Sequence, residues 1–280
     1  MLCRMDDILK KATQEQYGVA APNVWNLETI KAAVGIAEKL KSPIILDYGE
    51  GGYEENIFEV AMIAKHYGEN ASVPVAINLD HGETFKGAVR AIKAGFTSIM
   101  VDRSSRPFEE NLKDTKELCK IAHAADVSVE AELGHVGVGE EYADDNNSFT
   151  KVEEAQIFVK ETGVDCLAIA VGTAHGHYAG VPKLDFERIT QLRNSLDIPL
   201  VLHGGSSTGD EALQKAIKSG ISKVNLFTDL SDKAIDFMKK MLEIESAKQI
   251  NLIDFYDEGI KGYSSELERY IRLFGSDNKA

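Results

Sequence analysis

Eight times along this chain the hydrophobic period changes from that of a strand to that of a helix, and this repetition restricts the fold more than any single motif. Short β-rich apolar runs lie at Gly18–Ala21, Pro43–Tyr48, Val73–Asp80, Ser98–Asp102, Ser128–Leu133, Cys166–Ala170, Leu200–His203 and Lys223–Leu226. The stretches between them read as helices. After the first run, Ile30, Ala33, Val34, Ala37 and Leu40 recur on one face, with Asn26 as N-cap and Glu28 in the first turn. Phe58, Val60, Ala61 and Ala64, then Leu112, Leu118, Ile121 and Ala122, form similar stripes and read as core. Alternating strands and helices make a parallel sheet, because each helix is the crossover that a parallel neighbour needs. Eight such units predict an α/β fold of the (β/α)8 TIM-barrel class, with a charged C-terminal helical extension from Ser231 onward that is expected to help subunits pair as a homodimer or homotetramer.

The 280 residues suit one barrel, and no linker or repeat divides them, so residues 1–280 are expected to form one domain. A formal charge of −14 opposes nucleic acid and anionic membrane, but leaves room for a small anion in a local pocket. Cys3, Cys119 and Cys166 show no C-x-x-C spacing, which argues for reduced thiols and a cytoplasmic location. No stretch approaches the length of a membrane span, and no apolar run follows Lys10 and Lys11. The connection from Gly134 to Lys151 is long for a barrel and rich in acids and asparagines, which reads either as functional or as a solvated excursion.

Barrels of this class work at the C-terminal ends of their strands, so the polar residues there carry the argument. Asn23, Asp47, Asp80-His81, Asp102, Glu130 with Glu132, His175 with His177, His203 and Asn225 all fall at or just beyond strand ends. His66 and His123 fall within helices and read as surface or packing residues. His81, His175 and His203 converge on one rim. Three neutral imidazoles with an open fourth position are what catalytic zinc requires. Asp80 directly precedes His81 and cannot share its direction in extended chain. It reads either as a general acid/base turned inward above the barrel or as an acceptor that orients a metal-bound imidazole. Gly204-Gly205-Ser206-Ser207-Thr208, and Asn225 to Thr228, precede helices at the two strand ends where barrels usually hold phosphate.

These residues sit in a series of matching blocks: AAPNVWNLE at 20–28, LDHG at 79–82, GFTSIMVDRSSRPFEENLKDTKE at 95–117, VEAELGHVG at 129–137, TGVDCLAIAVGTAHGHY at 162–178, PLVLHGGSS at 199–207 and KVNLFT at 223–228. Through them, over nearly its whole length, the chain resembles the class II, zinc-dependent aldolases of fructose- and tagatose-bisphosphate and their relatives acting on other ketose 1-phosphates. The resemblance implies cleavage of a phosphorylated sugar to dihydroxyacetone phosphate and an aldehyde, with one catalytic zinc ion on His81, His175 and His203. It makes Asp80 the acid/base at the C4 hydroxyl and Glu141, with Glu140 as its neighbour and rival, the group that moves the proton at the dihydroxyacetone-phosphate carbon. It assigns Gly176, Gly204, Ser206, Asn225 and Thr228 to the shared phosphate and triose, and Asn23, at the end of the first strand, is a further substrate-binding candidate. Asp102 and Glu132 match carboxylates of a second divalent position, and a monovalent cation is the other ion such a site takes.

The departures from the family pattern concern substrate. Asp47-Tyr48-Gly49 stands where bisphosphate aldolases have Gln-x-Ser, and Arg103 replaces a small residue after Asp102. Ser207 replaces a glycine, Phe227 an aspartate and Tyr142 an acid. Asp47, Gly49, Arg103 and Phe227 are therefore the specificity candidates, with Arg103 expected to contact an anion on the distal half of the sugar. Three other functions fit parts of the pattern: a metal-dependent isomerase or epimerase, a non-catalytic sugar-phosphate-binding barrel, and a structural zinc site closed by His135 or His177.

Overall fold

The computed structural model describes residues 1–49, 56–137, 149–178, 180, 182–244 and 250–280. The chain opens with helix α1 (Met5–Glu15) and then alternates: β1 (Val19–Pro22), α2 (Leu27–Leu40), β2 (Ile44–Gly49), α3 (Ile57–Asn70), β3 (Val75–Gly82), α4 (Phe85–Ala94), β4 (Ser98–Val101), α5 (Phe108–Ala124) and β5 (Ser128–Leu133). It continues through α6 (Val152–Thr162), β6 (Cys166–Ile169), α7 (Phe186–Ser195), β7 (Leu200–Leu202), α8 (Asp210–Ser219), β8 (Ile221–Leu226), α9 (Thr228–Ile244) and α10 (Leu252–Phe274). All ladders are parallel, in the order β1-β8-β7-β6-β5-β4-β3-β2. A parallel bridge between Asn23 and Asp47 joins the two ends of that order. The expected (β/α)8 barrel is what forms, with each strand shifted by no more than about two residues from the apolar run that announced it.

Strand parity sorts the two faces of the sheet. Ile44, Leu46, Tyr48, Ile77, Leu79, Val129, Ala131 and Leu167 point outward and join the helix stripes in the larger apolar core. The opposite parity, Ile45, Ala76, Met100, Cys166, Ala168 and Val201, points inward. There it meets Met5, Ile8, Leu9 and Ala12, the apolar face of α1. Helix α1 thus seals the N-terminal end of the barrel, each fully buried side chain contributing about 1.5–3 kcal/mol. Asp6 fastens it by accepting from Arg4 at 2.8 Å and Lys10 at 2.6 Å, and Arg4 reaches on to Asp126 and Asp165.

Asn26 caps α2 as expected, accepting from the Thr29 N–H at 3.0 Å, and Thr29 returns the bond to the Asn26 N–H. Two members of the expected core stripes lie outside it. Phe58 is 41% exposed beneath the Arg90 guanidinium, and Ile121 is 36% exposed, because each falls one position off the buried face of its helix. The C-terminal region also divides differently from expectation. The helix expected from Ser231 begins at Thr228 and is the barrel's own eighth crossover helix, so α10 alone is the extension. Helix α10 returns to the barrel rim, where Tyr263 Oη donates to the Asn23 carbonyl at 3.0 Å and Tyr270 Oη donates to Asp229. No helix among the described residues is long and apolar enough to cross a membrane.

Candidate functional site

The mouth end of β3 departs from regular strand geometry. Its register against β4 shifts between Leu79 and Gly82, and His81 takes φ 49°, the left-handed region that a histidine seldom occupies. Glycine follows because a Cβ at position 82 would stand 2.3 Å from the Met100 carbonyl oxygen. The extra residue lets two successive side chains, Asp80 and His81, both face the mouth, which extended chain forbids. Strain of this kind is stable only where the surroundings over-determine it, and it concentrates at functional sites.

His81, His175 and His203 come together so that one ligand atom from each lies within 4.8 Å of the others. His81 Nδ1 donates to Asp102 Oδ2 at 2.8 Å, and Asp102 is itself fixed through Oδ1 by the Ser104 N–H and hydroxyl at 3.0 and 2.8 Å. A carboxylate only accepts, so this bond leaves His81 Nε2 as the free lone pair once the ring is neutral. His203 is fully buried and donates from Nε2 to Glu130 Oε1 at 2.8 Å, which turns its Nδ1 toward His81 Nε2 at 3.0 Å. Two imidazoles on one tetrahedral zinc place their nitrogens about 3.4 Å apart, so this spacing is close to that of a shared ligand position. His175 Nε2 is buried with no hydrogen-bond partner among the described residues, an orphan atom of the sort a metal satisfies.

The protein charges oppose one another here. Burial lowers the basicity of His175 and the charges of His203 and His81 lower it further, to about 3, so its ring is neutral. Burial also works against a proton on His81, but Asp80 and the bond to Asp102 outweigh it and hold the ring up to about 10. A metal would have to displace that proton. The residues present fit such an ion: neutral or neutralisable imidazoles, carboxylates fixing their far nitrogens, and an unpartnered ring nitrogen. A second group, His81 with Asp102 and Glu132, has the same compactness, and buried Glu132 Oε2 lacks a partner among the described residues.

Asp80 makes no hydrogen bond to His81, whose Nε2 is 4.0 Å away. Instead it accepts from Asn23 Nδ2 and Asn225 Nδ2, both at 3.0 Å, on its two oxygens. Burial raises its pKa, but the charges of His81, His203 and Lys223 more than reverse this and bring it to about 2, so the group is ionised at neutral pH. The reading of Asp80 as an acceptor that merely orients an imidazole does not fit this geometry. A carboxylate clamped by two amides beside the histidines fits proton transfer.

Above these groups opens a cavity of about 270 Å³ lined by Asn23, Gly49, Asp80, His81, His175, Gly176, Gly204, Ser206, Asn225, Phe227 and Thr228, among others. Trp25 and Phe227 meet edge to face on its wall, ring centroids 5.9 Å apart. Gly204 takes φ 68°, and a Cβ there would lie 2.2 Å from the Ala174 carbonyl oxygen, so only glycine brings β7 and the loop after β6 this close. Ser206 Oγ accepts from the Phe227 and Asp229 N–H groups, both at 3.3 Å, and α9 points its positive N-terminal end at the same wall. Ser207, at φ 60°, occupies a conformation suited to glycine and is held there by Asp229, which accepts from its N–H and hydroxyl, each at 2.8 Å.

The structure corrects two of the specificity candidates. Arg103 is 3% exposed, and its guanidinium donates to the Gly82 and Asp102 carbonyls at 2.9 and 2.8 Å, so it braces the strand ends and does not meet an anion in the cavity. Asp47 points into the barrel beneath the site, fully buried, and does not line the cavity. Gly49 and Phe227 do line it. His135 is 55% exposed beside Ser104 and His177 is 64% exposed beside Asp232, and neither belongs to the histidine group. Glu140, Glu141 and Tyr142 lie outside the described residues.

Sequence reasoning noted Glu130 without giving it a role, and it missed Lys223. Glu130 Oε2 accepts from Lys223 Nζ at 2.8 Å, and Asp47 Oδ2 lies 3.3 Å from the same nitrogen, with Asn78 Nδ2 donating to Asp47 Oδ1 at 2.9 Å. Period-two spacing, Glu130 with Glu132 and Lys223 with Asn225, was the signal that these charges face inward.

The sequence model of the family described as fructose-bisphosphate aldolase class-II matches residues 3–279. The chain is 41% identical to the fructose-bisphosphate aldolase of Geobacillus stearothermophilus, covering 100% of this chain and 99% of that protein. It is 38% identical to the fructose-bisphosphate aldolase of Helicobacter pylori strain J99, covering 100% of both. Among solved structures, the YdjI aldolase of Escherichia coli K12 superposes with a TM-score of 0.89 at 33% identity over 100% of both chains.

Proposed function

The chain belongs to the class II fructose-bisphosphate aldolase family and is a metal-dependent aldehyde-lyase, and from that premise we propose that it cleaves a ketose 1-phosphate to dihydroxyacetone phosphate and an unphosphorylated aldehyde, using zinc. The observation that carries this reading is the meeting of three imidazoles, His81 and His175 on the cavity lining and His203 buried against them, beside a carboxylate clamped between Asn23 and Asn225. His81, His175 and His203 would hold the zinc, which as a Lewis acid beside a ketone carbonyl contributes several kcal/mol toward stabilising the carbanion that cleavage leaves. Ionised Asp80 receives the C4 hydroxyl proton as the C3–C4 bond breaks and the C4 carbonyl forms. Glu141, by its place in the family pattern, returns a proton to C3. Each such proton transfer is worth about 10²- to 10⁴-fold. Gly204, Ser206 and Thr228 offer the C1 phosphate backbone N–H groups and the α9 terminus in place of a cation.

The distal end is where this chain separates from its bisphosphate relatives. Among the described residues lining the cavity there is no lysine or arginine, and Trp25 and Phe227 present aromatic surface. A second phosphate dianion has no counter-charge in this set. The names of the relatives favour a fructose bisphosphate as the competing substrate. A third chemistry, a lysine Schiff base, is disfavoured at Lys223: burial lowers its basicity, but Asp47 and Glu130 raise it above the ordinary range, the reverse of an activated amine. Metal analysis coupled to a retro-aldol assay tests the reading. Stoichiometric zinc with faster dihydroxyacetone phosphate release from a ketose 1-phosphate than from fructose 1,6-bisphosphate is expected. Equal or faster turnover of the bisphosphate would overturn the substrate class, and no release from any ketose phosphate would overturn the activity.

A further inference from the structure

The interior of the barrel below the histidines holds a linear set of polar side chains that neither lines the cavity nor reaches the proposed ion: Glu130 on β5, Lys223 on β8, and Asp47 and Asn78 on β2 and β3, all with no exposed surface. We propose that Lys223, acting through Glu130, is a positioning residue that aims His203 Nδ1 at the metal position. The inference rests on the histidines being a metal site, as proposed above. Glu130 divides its two oxygens, Oε1 receiving the His203 Nε2–H at 2.8 Å and Oε2 receiving Lys223 Nζ at 2.8 Å. A carboxylate held by one oxygen can swing about its side-chain torsions. Held by both, from His203 just beyond β7 and from Lys223 on β8 across the barrel, it can present Oε1 in only one direction. That direction fixes which ring nitrogen of His203 carries the proton and where the other one points, at His81 Nε2 3.0 Å away.

Stability gives little reason for the arrangement. Buried ion pairs are often no better than well-packed apolar residues of the same volume, and the neighbouring inward positions Ile45, Ala76 and Cys166 show that this barrel is filled apolarly where only packing is needed. Lys223 is also too deep to meet substrate, so its route to the chemistry runs through the Glu130 carboxylate.

The test is zinc affinity of the folded full-length chain, by competition with a chelator, together with the visible absorption of the cobalt-substituted protein. Lys223→Met is expected to weaken zinc about tenfold and to change the cobalt spectrum, and Glu130→Gln to weaken it about 10- to 100-fold. Because Lys223 acts through Glu130, adding Lys223→Met to Glu130→Gln should cost no more than about twofold further. If Lys223→Met does not fold, the variant carrying Asp47→Asn as well removes the ammonium together with its second acidic neighbour and takes its place. Wild-type chain that takes up no stoichiometric zinc would defeat the proposed function itself. Wild-type chain that binds zinc, beside folded Lys223 variants with unchanged affinity and cobalt spectrum, would overturn this inference alone. So would failure of both variants to fold, since Lys223 would then be holding the barrel together and not aiming one imidazole.

Discussion

The lower and upper halves of the barrel interior are built on the same strands, a residue pair apart, and have opposite chemistry. Below, the side chains of Ile45, Ala76, Met100 and Val201 close on Met5, Ile8 and Leu9 of α1 in an apolar cluster with no charged member. Above, Asp47, Asn78, Glu130, His203 and Lys223 are equally buried, yet almost every one is committed to a specific partner. Apolar packing stabilises without direction, and volume is all it demands. The upper half gains little net stability from its charges but gains direction, since each bond fixes one oxygen or one ring nitrogen. Stability and orientation are thus segregated along the barrel axis.

The sharpest way to break this contrast is to empty the upper half. Chelation of the metal is expected to reduce cleavage to background, with zinc restoring it and the far-ultraviolet circular dichroism unchanged throughout. Activity that survives measured removal of the ion would leave the upper half without its assigned purpose. Asp80→Asn is expected to lower kcat by about 10²- to 10⁴-fold while zinc content and the unfolding midpoint hold. A loss of stability equal to that of a core mutant would blur the two halves. In the lower half, Leu9→Ala is expected to lower unfolding free energy by about 2–5 kcal/mol in urea titration, with kcat/KM unchanged. A large fall in kcat/KM at full folding would show that the α1 plug reaches the chemistry.

The smallest effect concerns how the plug is fastened. Burial raises the pKa of Asp6, but the hydrogen bonds from Lys10 and Arg4 bring it below its ordinary 3.8. A carboxylate depressed in the folded state stabilises above its unfolded pKa and loses that contribution as pH falls through the folded value. Asp6→Asn should therefore destabilise by about 1 kcal/mol at neutral pH, and the difference from wild type should shrink below pH 3.8. A difference that persists at lower pH would assign it to something other than these ion pairs.

The two halves were also unequally legible. The eight strands were readable because period-two and period-3.6 patterns need no knowledge of neighbours, and Asn26 was readable because a cap is local. Helix α1 carries its stripe in plain view, Met5, Ile8, Leu9 and Ala12, but a pattern of strand-then-helix has no place for a helix that precedes every strand. The bulge at Asp80-His81 was hidden, because nothing in the sequence announces a left-handed histidine. Arg103 and Asp47 misled for a common reason. Distance along the chain from a strand end says that a side chain is near the mouth, but not whether it points up into the cavity, down into the barrel or back onto the strand ends. Glu130 and Lys223 show the same limit from the other side: parity puts each inside the barrel, but only the closed barrel, with β5 facing β8 across it, brings them within 2.8 Å.

The pairing of β1 with β8 has a consequence for how the enzyme is made. Asp80 is held by Asn23, 57 residues earlier, and by Asn225, 145 residues later, and Tyr263 reaches back 240 residues to the Asn23 carbonyl. A ribosome delivers these parts in order, so a nascent chain that has emerged as far as His203 still lacks half of the grip on Asp80, the proposed proton carrier, and the helix that braces the other half. The strand that opens translation of the barrel waits, unpaired on that edge, for the one that ends it. The clamp on Asp80 is therefore complete only late in synthesis, and chains that end before β8 and α10 carry the histidines without that carboxylate held on both oxygens beside them.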